Sequence, residues 1–393
     1  MRGTATAITG LLIMLMPNLA WADFQSCAAG LRSQALKEGI SARVVNAAFS
    51  GLEPDMTVIE RMSNQPEFKT PIWDYLATLV DEEKVSEGRA MLRQYASVLA
   101  AAERRYGVDR HTIVAVWGVE SDFGKAGGKM PLVQALATGA CLAKRRNSYF
   151  RNELISTLKI VQRGDLALDQ LRGSWAGAFG HTQFIPSTYR RLAVDGDGDG
   201  RRDLVNSVAD ALHSTANYLH KAGWRKGESW GYEVRVPQGF RGATGRKPKH
   251  ALSHWTALGV RRLDGGALSG HGAAGLLMPA GRDGPAFLVF KNYDAAFSYN
   301  GADAYALAIS LLSDRLKGKP GVQAPWPTDD PPLSREQRRE LQRLLTARGF
   351  DVGEPDGKVG SKTRDAIKQI EMRIGMAPTG RPGGKVLQAL RGR

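Results

Sequence analysis

The run Ile113-Val114-Ala115-Val116-Trp117 constrains this chain most, because its first charge comes only at Glu120 and it closes on Gly124. An unbroken apolar segment of that kind belongs in a core. As a helix it sets Val116, Trp117 and Glu120 near one face, since residues three and four apart are neighbours. A carboxyl beside a Trp in apolar surroundings has a raised pKa and can donate a proton near neutral pH. Gly124 offers the helix its stop. The competing reading is a surface Glu at the last turn of a core helix.

Around this stretch the pattern is mainly helical. Leu76, Leu79 and Val80 recur at helical spacing, as do Leu92, Tyr95, Ala96 and Leu99, and Pro54, Pro66 and Pro71 cut the early part into short helices. Further helices are predicted around 132–142, 152–162, 208–224 and 305–316. Glu233–Pro237 and Ala286–Phe290 read as strands among Gly- and Pro-rich turns, which places a small β-containing insertion at about 225–291. The fold class is α+β, mainly α.

The first 22 residues read as an export signal: Arg2, a short apolar core from Ala5 to Met16, and a small-x-small cleavage site at Ala20-Trp21-Ala22. Nothing after them is long and apolar enough to span a membrane. The expected location is the periplasm. The two cysteines, Cys27 and Cys141, can form one disulfide in an exported chain or remain two buried thiols, and the sequence leaves both open. The net charge of +15 suits an anionic partner: nucleic acid, a membrane surface or an acidic wall polymer.

Residues 171–189 combine Gly173, Gly177 and Gly180 with Trp175, Phe179 and Phe184 and the polar groups Ser174, His181, Thr182 and Gln183. Flat apolar surfaces plus a few hydroxyl and amide groups suit carbohydrate; a structural loop is the alternative. Asp195-Gly-Asp197-Gly-Asp199-Gly200 then matches the first half of an EF-hand loop, with Asp203 at the ninth position. The twelfth position is Asn206 rather than a bidentate Glu, and Asp210 from the next helix can supply the closing carboxylate. The expected cofactor is a structural calcium ion, and no organic cofactor is implied.

Five prolines between Lys317 and Pro332 mark a linker at 317–332 that is semi-rigid where they cluster. Beyond it, Ser334-x-x-Gln337 is a capping box that opens a helix with Leu341, Leu344 and Leu345, and a second helix starts near Ser361. Residues 333–393 are thus a small helical domain of their own.

Taken in order, Trp117-Gly-Val-Glu120-Ser-Asp-Phe-Gly, Gly177-Ala-Phe-Gly-His-Thr-Gln183-Phe-Ile-Pro-Ser, Ala193-Val-Asp195-Gly-Asp-Gly-Asp-Gly and Ser298-Tyr299-Asn300 resemble the membrane-bound lytic murein transglycosylase B family. The tail, with Leu341-Gln342-x-x-Leu345, Gly349-Phe350 and Pro355-Asp356-Gly357-Lys-Val-Gly360, resembles the helical peptidoglycan-binding domain. The resemblance implies a lysozyme-like catalytic region at 23–316, with a helical N-terminal domain and the β-containing insertion, followed by a three-helix C-terminal domain. It implies non-hydrolytic cleavage of the β-1,4 bond between N-acetylmuramic acid and N-acetylglucosamine, leaving 1,6-anhydro-muramic acid. It makes Glu120 the catalytic acid, Ser174 the hydroxyl that orients it, and Gln183 the amide that holds an acetamido group. Tyr149, Tyr218, Tyr299 and Asn300 become groups lining the glycan groove, with core packing as the alternative for each tyrosine. Asp195, Asp197, Asp199 and Asp210, with the Arg201 carbonyl, become the calcium ligands.

That chemistry suits a chain with one carboxylate in an acid setting. Ordinary glycosidases need two, and Asp122 lies about 200° further round the helix. The partner is peptidoglycan glycan strands, with no nucleic acid and a monomeric chain. The alternatives are a non-catalytic wall-binding scaffold and a hydrolytic muramidase using the same acid.

Overall fold

The structure, a computed structural model, describes residues 16–62 and 70–392. The apolar core of the export signal lies outside the described residues, apart from its last residue, Met16. The chain divides into two compact units, one formed by residues 1–65 and 127–211 and the other by 66–126 and 212–393.

The first unit is built from the helices Met16–Lys37, Ala42–Phe49, Thr57–Met62, Leu132–Leu142, Asn147–Arg163 and Pro186–Leu192. Ser41 caps the second of these by accepting from the Val44 N–H. Cys27 and Cys141 are joined by a disulfide that ties the first helix to Leu132–Leu142, with Cα atoms 5.7 Å apart. The buried Glu153 carboxylate accepts from both the N–H and the hydroxyl of Ser187, each at 2.8 Å, so it holds the first turn of Pro186–Leu192. Met130–Pro131 pairs antiparallel with Arg172–Gly173 and sets the start of the glycine-rich segment.

The second unit centres on the helix Arg110–Ser121, packed against the helices Asp303–Leu316 and Glu82–Gln94. Every residue from Thr112 to Gly118 is buried, as the apolar run requires. Asp109 caps the helix through its bond from the His111 N–H. The predicted strands form at Gly231–Arg235 and Ala286–Val289, antiparallel to each other. Two shorter strands, Arg261–Arg262 and Gly275–Leu277, flank them, giving a four-stranded antiparallel sheet. Val234, Phe240, Trp255, Val260, Leu276, Leu288 and Phe290 fill its core.

The tail forms the helices Arg335–Thr346, Ser361–Arg373 and Gly384–Arg391 around Leu341, Leu345, Ile367, Ile370, Val386 and Leu387. The capping box is complete: Ser334 accepts from the Gln337 N–H, and the Gln337 side chain accepts from the Ser334 N–H at 2.8 Å. The proline-rich segment is laid along the second unit. The Glu233 carboxylate accepts from the N–H groups of Gln323 and Ala324, each at 2.8 Å, and the Trp326 ring lies 6.3 Å from that of Trp73. No helix of the described residues is long and apolar enough to cross a membrane.

Candidate active site

The end of the central helix differs from expectation. It stops at Ser121, and its cap is Asp122 in the left-handed conformation (φ 53°), followed by Phe123 at φ 59°. Gly124 comes too late to be the stop. Two consecutive non-glycine residues at positive φ are unfavourable, and the compensation is packing. Phe123 turns back over the helix, edge-on to Trp117 at 5.7 Å between ring centroids. A Cβ on Gly118 would lie 2.8 Å from the Phe123 ring, so only glycine lets the ring settle there. Lys84 completes the turn by donating to the Gly118 carbonyl at 2.8 Å and pairing with the Asp122 carboxylate at 2.6 Å. Asp122 is therefore committed to Lys84.

Glu120, two residues before this cap, is half-buried. Burial pushes its pKa up to about 8, against the opposing effect of the Tyr305 hydroxyl, which donates to its Oε1. A carboxyl raised this far keeps its proton near neutral pH, which is the chemistry that a general acid needs. Among the described residues, Tyr305 is its hydrogen-bond partner, and the sequence reading missed Tyr305. The signal was available: Tyr305 lies five residues beyond Asn300, at the start of a strongly apolar helix.

Tyr305 belongs to an aromatic row. Its ring stacks on Tyr299 at 6.2 Å, and Tyr299 lies 4.6 Å from Tyr218. The Tyr218 hydroxyl donates to the Ser298 carbonyl at 2.6 Å, tying the helix Val208–Lys221 to Lys291–Asn300. Tyr218 and Tyr299 thus lie in one row with Tyr305, whose hydroxyl reaches Glu120. Asn300 is exposed at the end of its helix.

Within the first unit, Ser174 and Gln183 shape one loop. The Ser174 Oγ accepts from the Ala178 N–H at 3.0 Å, and its own N–H donates to the Ala178 carbonyl at 2.8 Å. A Cβ on Gly173 would meet that carbonyl oxygen at 2.1 Å, so the turn demands glycine. Gln183, at φ 50°, donates its side-chain amide to the Gly127 and Gly180 carbonyls at 3.0 and 2.8 Å. Its N–H groups are engaged, and among the described residues its Oε1 accepts no hydrogen bond. The Tyr149 hydroxyl donates to the Ala176 carbonyl at 2.9 Å, and burial pushes its pKa up to about 12. Tyr149 therefore braces the Ser174 loop.

The acidic loop folds as its spacing suggests, with one adjustment. Carboxylate oxygens of Asp195, Asp197 and Asp210 come within 4.8 Å of one another. Asp210, fully buried, has its pKa raised by burial and accepts from the N–H groups of Gly196 and Asp203 at 2.7 and 2.6 Å. Asp199 stands outside this trio and accepts from the Arg201 N–H at 2.8 Å. Asp203 caps the next turn through the Val205 and Asn206 N–H groups. An all-oxygen set with a buried carboxylate that burial discourages from ionising is what a hard divalent cation would relieve.

Residues 23–314 match the sequence family described as the transglycosylase SLT domain, and residues 334–390 match the putative peptidoglycan binding domain. The chain belongs to the transglycosylase SLT family. Among its relatives is the membrane-bound lytic murein transglycosylase B of Escherichia coli (strain K12), 33% identical over 248 residues, which span 62% of this chain and 66% of that protein. Among solved structures, SltB3 from Pseudomonas aeruginosa in complex with NAG-anhNAM-pentapeptide is similar with a TM-score of 0.75 and 44% identity, over 94% of this chain and 99% of that one. The Escherichia coli lytic transglycosylase SLT35 in complex with calcium is similar with a TM-score of 0.66 and 29% identity, over 76% of this chain and 93% of that one. The family's lysozyme-like, mainly helical architecture with small antiparallel sheets and a helical C-terminal domain is the one found here.

Proposed function

We propose that this chain cleaves peptidoglycan as a lytic transglycosylase with Glu120 acting first as acid and then as base. The observation that carries the reading is a half-buried glutamic acid whose pKa is raised to about 8, hydrogen-bonded to a tyrosine and, among the described residues, with no second carboxylate bonded to it. Glu120 gives its proton to the glycosidic oxygen as the bond from muramic C1 breaks. The muramic N-acetyl group supports the oxocarbenium-like centre, as in substrate-assisted enzymes. The Glu120 carboxylate then takes the proton of the muramic 6-hydroxyl as that oxygen bonds to C1. The acid is regenerated, the product ends in 1,6-anhydro-muramic acid, and no water is consumed. Proton transfer of this kind contributes about 10²–10⁴-fold.

Ser174 is assigned to orienting the acid and Gln183 to holding a substrate acetamido group, for which the unengaged Oε1 can accept the acetamido N–H. Tyr149, Tyr218, Tyr299 and Asn300 are assigned to the glycan groove, Tyr149 also bracing the Ser174 loop through Ala176. Asp195, Asp197 and Asp210 would hold a calcium ion, with Asp199 and the Arg201 carbonyl as further ligands. The ion's role is structural and no step passes through it. Residues 1–22 direct export to the periplasm, 23–316 carry catalysis, 317–332 connect, and 333–393 bind the wall; the enzyme acts as a monomer. The test is product analysis on purified sacculi. The wild type releases anhydro-muropeptides, lighter by one water than hydrolysis products, and Glu120→Gln releases few. Near-wild-type release by Glu120→Gln would refute the assignment.

A further inference from the structure

The tail helices meet the rest of the second unit through a one-sided charge pattern. Among the described residues, the cations come from the tail: Arg335, Arg338, Arg339, Lys358 and Arg381. The anions come from residues 74–122: Asp74, Asp81, Glu83 and Asp122. Arg381 pairs with Asp74 at 2.5 and 2.8 Å. Arg335 donates to Asp81 and Glu83, each at 3.0 Å, and Arg339 pairs with Glu83 at 2.9 Å. Arg338 donates to the Ala77 carbonyl at 3.3 Å. Asp81 is itself the N-cap of Glu82–Gln94, the helix that supplies Lys84.

Two of these cations reach the cap of the acid helix. An Arg335 guanidinium nitrogen lies 3.9 Å from Asp122 Oδ1, and the Lys358 ammonium lies 3.8 Å from Oδ2. Asp122 has its backbone N–H on the Gly118 and Trp117 carbonyls and its carboxylate on Lys84. The tail therefore touches the charge balance of the turn that ends two residues after Glu120. Displacing a reacting group by about 1 Å can cost about 10²-fold in rate.

We infer that the C-terminal domain positions the catalytic acid, with Arg335 bridging Asp81 and Asp122 and so fixing the cap of the helix that carries Glu120. This rests on Glu120 being the acid. The domain then has a second role besides holding the wall, and Arg335 is a positioning residue that touches no substrate.

The test uses the full-length chain and a soluble, uncrosslinked glycan fragment, on which wall targeting confers no advantage. Arg335→Gln should lower kcat about tenfold with KM changed less than twofold, and co-sedimentation with sacculi should be unchanged. Arg335→Lys should recover part of kcat. Arg339→Gln, which loses contacts to Glu83 and Glu336 but has none to Asp122, should stay within twofold of wild type. Amide exchange at Asp122–Gly124 should quicken in Arg335→Gln and not in Arg339→Gln. If Arg335→Gln fails to fold, Lys358→Gln, at a side chain 61% exposed, is read by the same exchange: quickening supports the inference and unchanged exchange overturns it. A kcat for Arg335→Gln within twofold of wild type also overturns it. Absence of anhydro product from the wild type would instead refute the proposed function.

Discussion

Replacing Glu120 by Gln should make the protein more stable, increasingly so as pH rises. The variant keeps the shape and an oxygen for the Tyr305 hydroxyl but removes the ionisable group. In the unfolded chain Glu120 loses its proton near 4.5, whereas in the folded chain it keeps it up to about 8. Between those values the unfolded state binds fewer protons, so wild-type stability falls as pH rises, and above about 8 the loss is complete. Each pH unit of that gap corresponds to about 1.4 kcal/mol, giving an upper bound near 5 kcal/mol; solvent reaching a half-buried carboxyl reduces this to about 3 kcal/mol. Urea unfolding of both proteins at pH 4, 6 and 9 reads the difference. It should be small at pH 4 and should grow to about 3 kcal/mol at pH 9, while activity falls by at least about 10²-fold. A stability difference that stays constant from pH 4 to 9 would show that Glu120 ionises normally and would remove the physical basis for its role as acid.

Tyr305→Phe removes a hydrogen bond that holds the Glu120 pKa down, so the alkaline limb of the kcat profile should move upward by about one pH unit even as kcat drops; a downward shift contradicts the assigned donor. Calcium should raise the Tm of the wild type but leave that of Asp195→Ala/Asp210→Asn unchanged, which a thermal melt with and without calcium reads directly. Removing the Cys27–Cys141 disulfide, which closes a 114-residue separation, should cost up to about 5 kcal/mol; a Cys27→Ser/Cys141→Ser pair with an unchanged urea midpoint would refute that.

Elements with a strong local pattern were legible in the sequence. The apolar run from Ile113 marks the helix that carries Glu120, the Ser334–Gln337 box marks the start of the first tail helix to the residue, and the Asp-Gly repeat marks the loop that gathers Asp195, Asp197 and Asp210. What escaped depended on distant packing. Gly124 looked like the stop, yet Asp122 holds the cap because Lys84, from a separate helix, is there to receive its carboxylate. Tyr305 carries no motif; it matters because its helix places the hydroxyl against Glu120, 185 residues away in sequence. The strands Arg261–Arg262 and Gly275–Leu277 are too short to show alternation and exist only as partners of longer neighbours. The bond from the Tyr149 hydroxyl to the Ala176 carbonyl likewise depends on packing that no local pattern shows.

The anchoring of Gln323 and Ala324 on Glu233 bears on how loosely the last domain is held. A tether pinned near its middle leaves only short free stretches on either side, so the domain meets its docking face as an intramolecular ligand at an effective concentration of at least about millimolar. Ion pairs that would fail between separate molecules are then sufficient to keep it in place. Glu233→Gln would release the pin without touching either face. It would convert a closely leashed neighbour into a longer-ranging one, and the ionic strength at which the domain lifts away should fall accordingly.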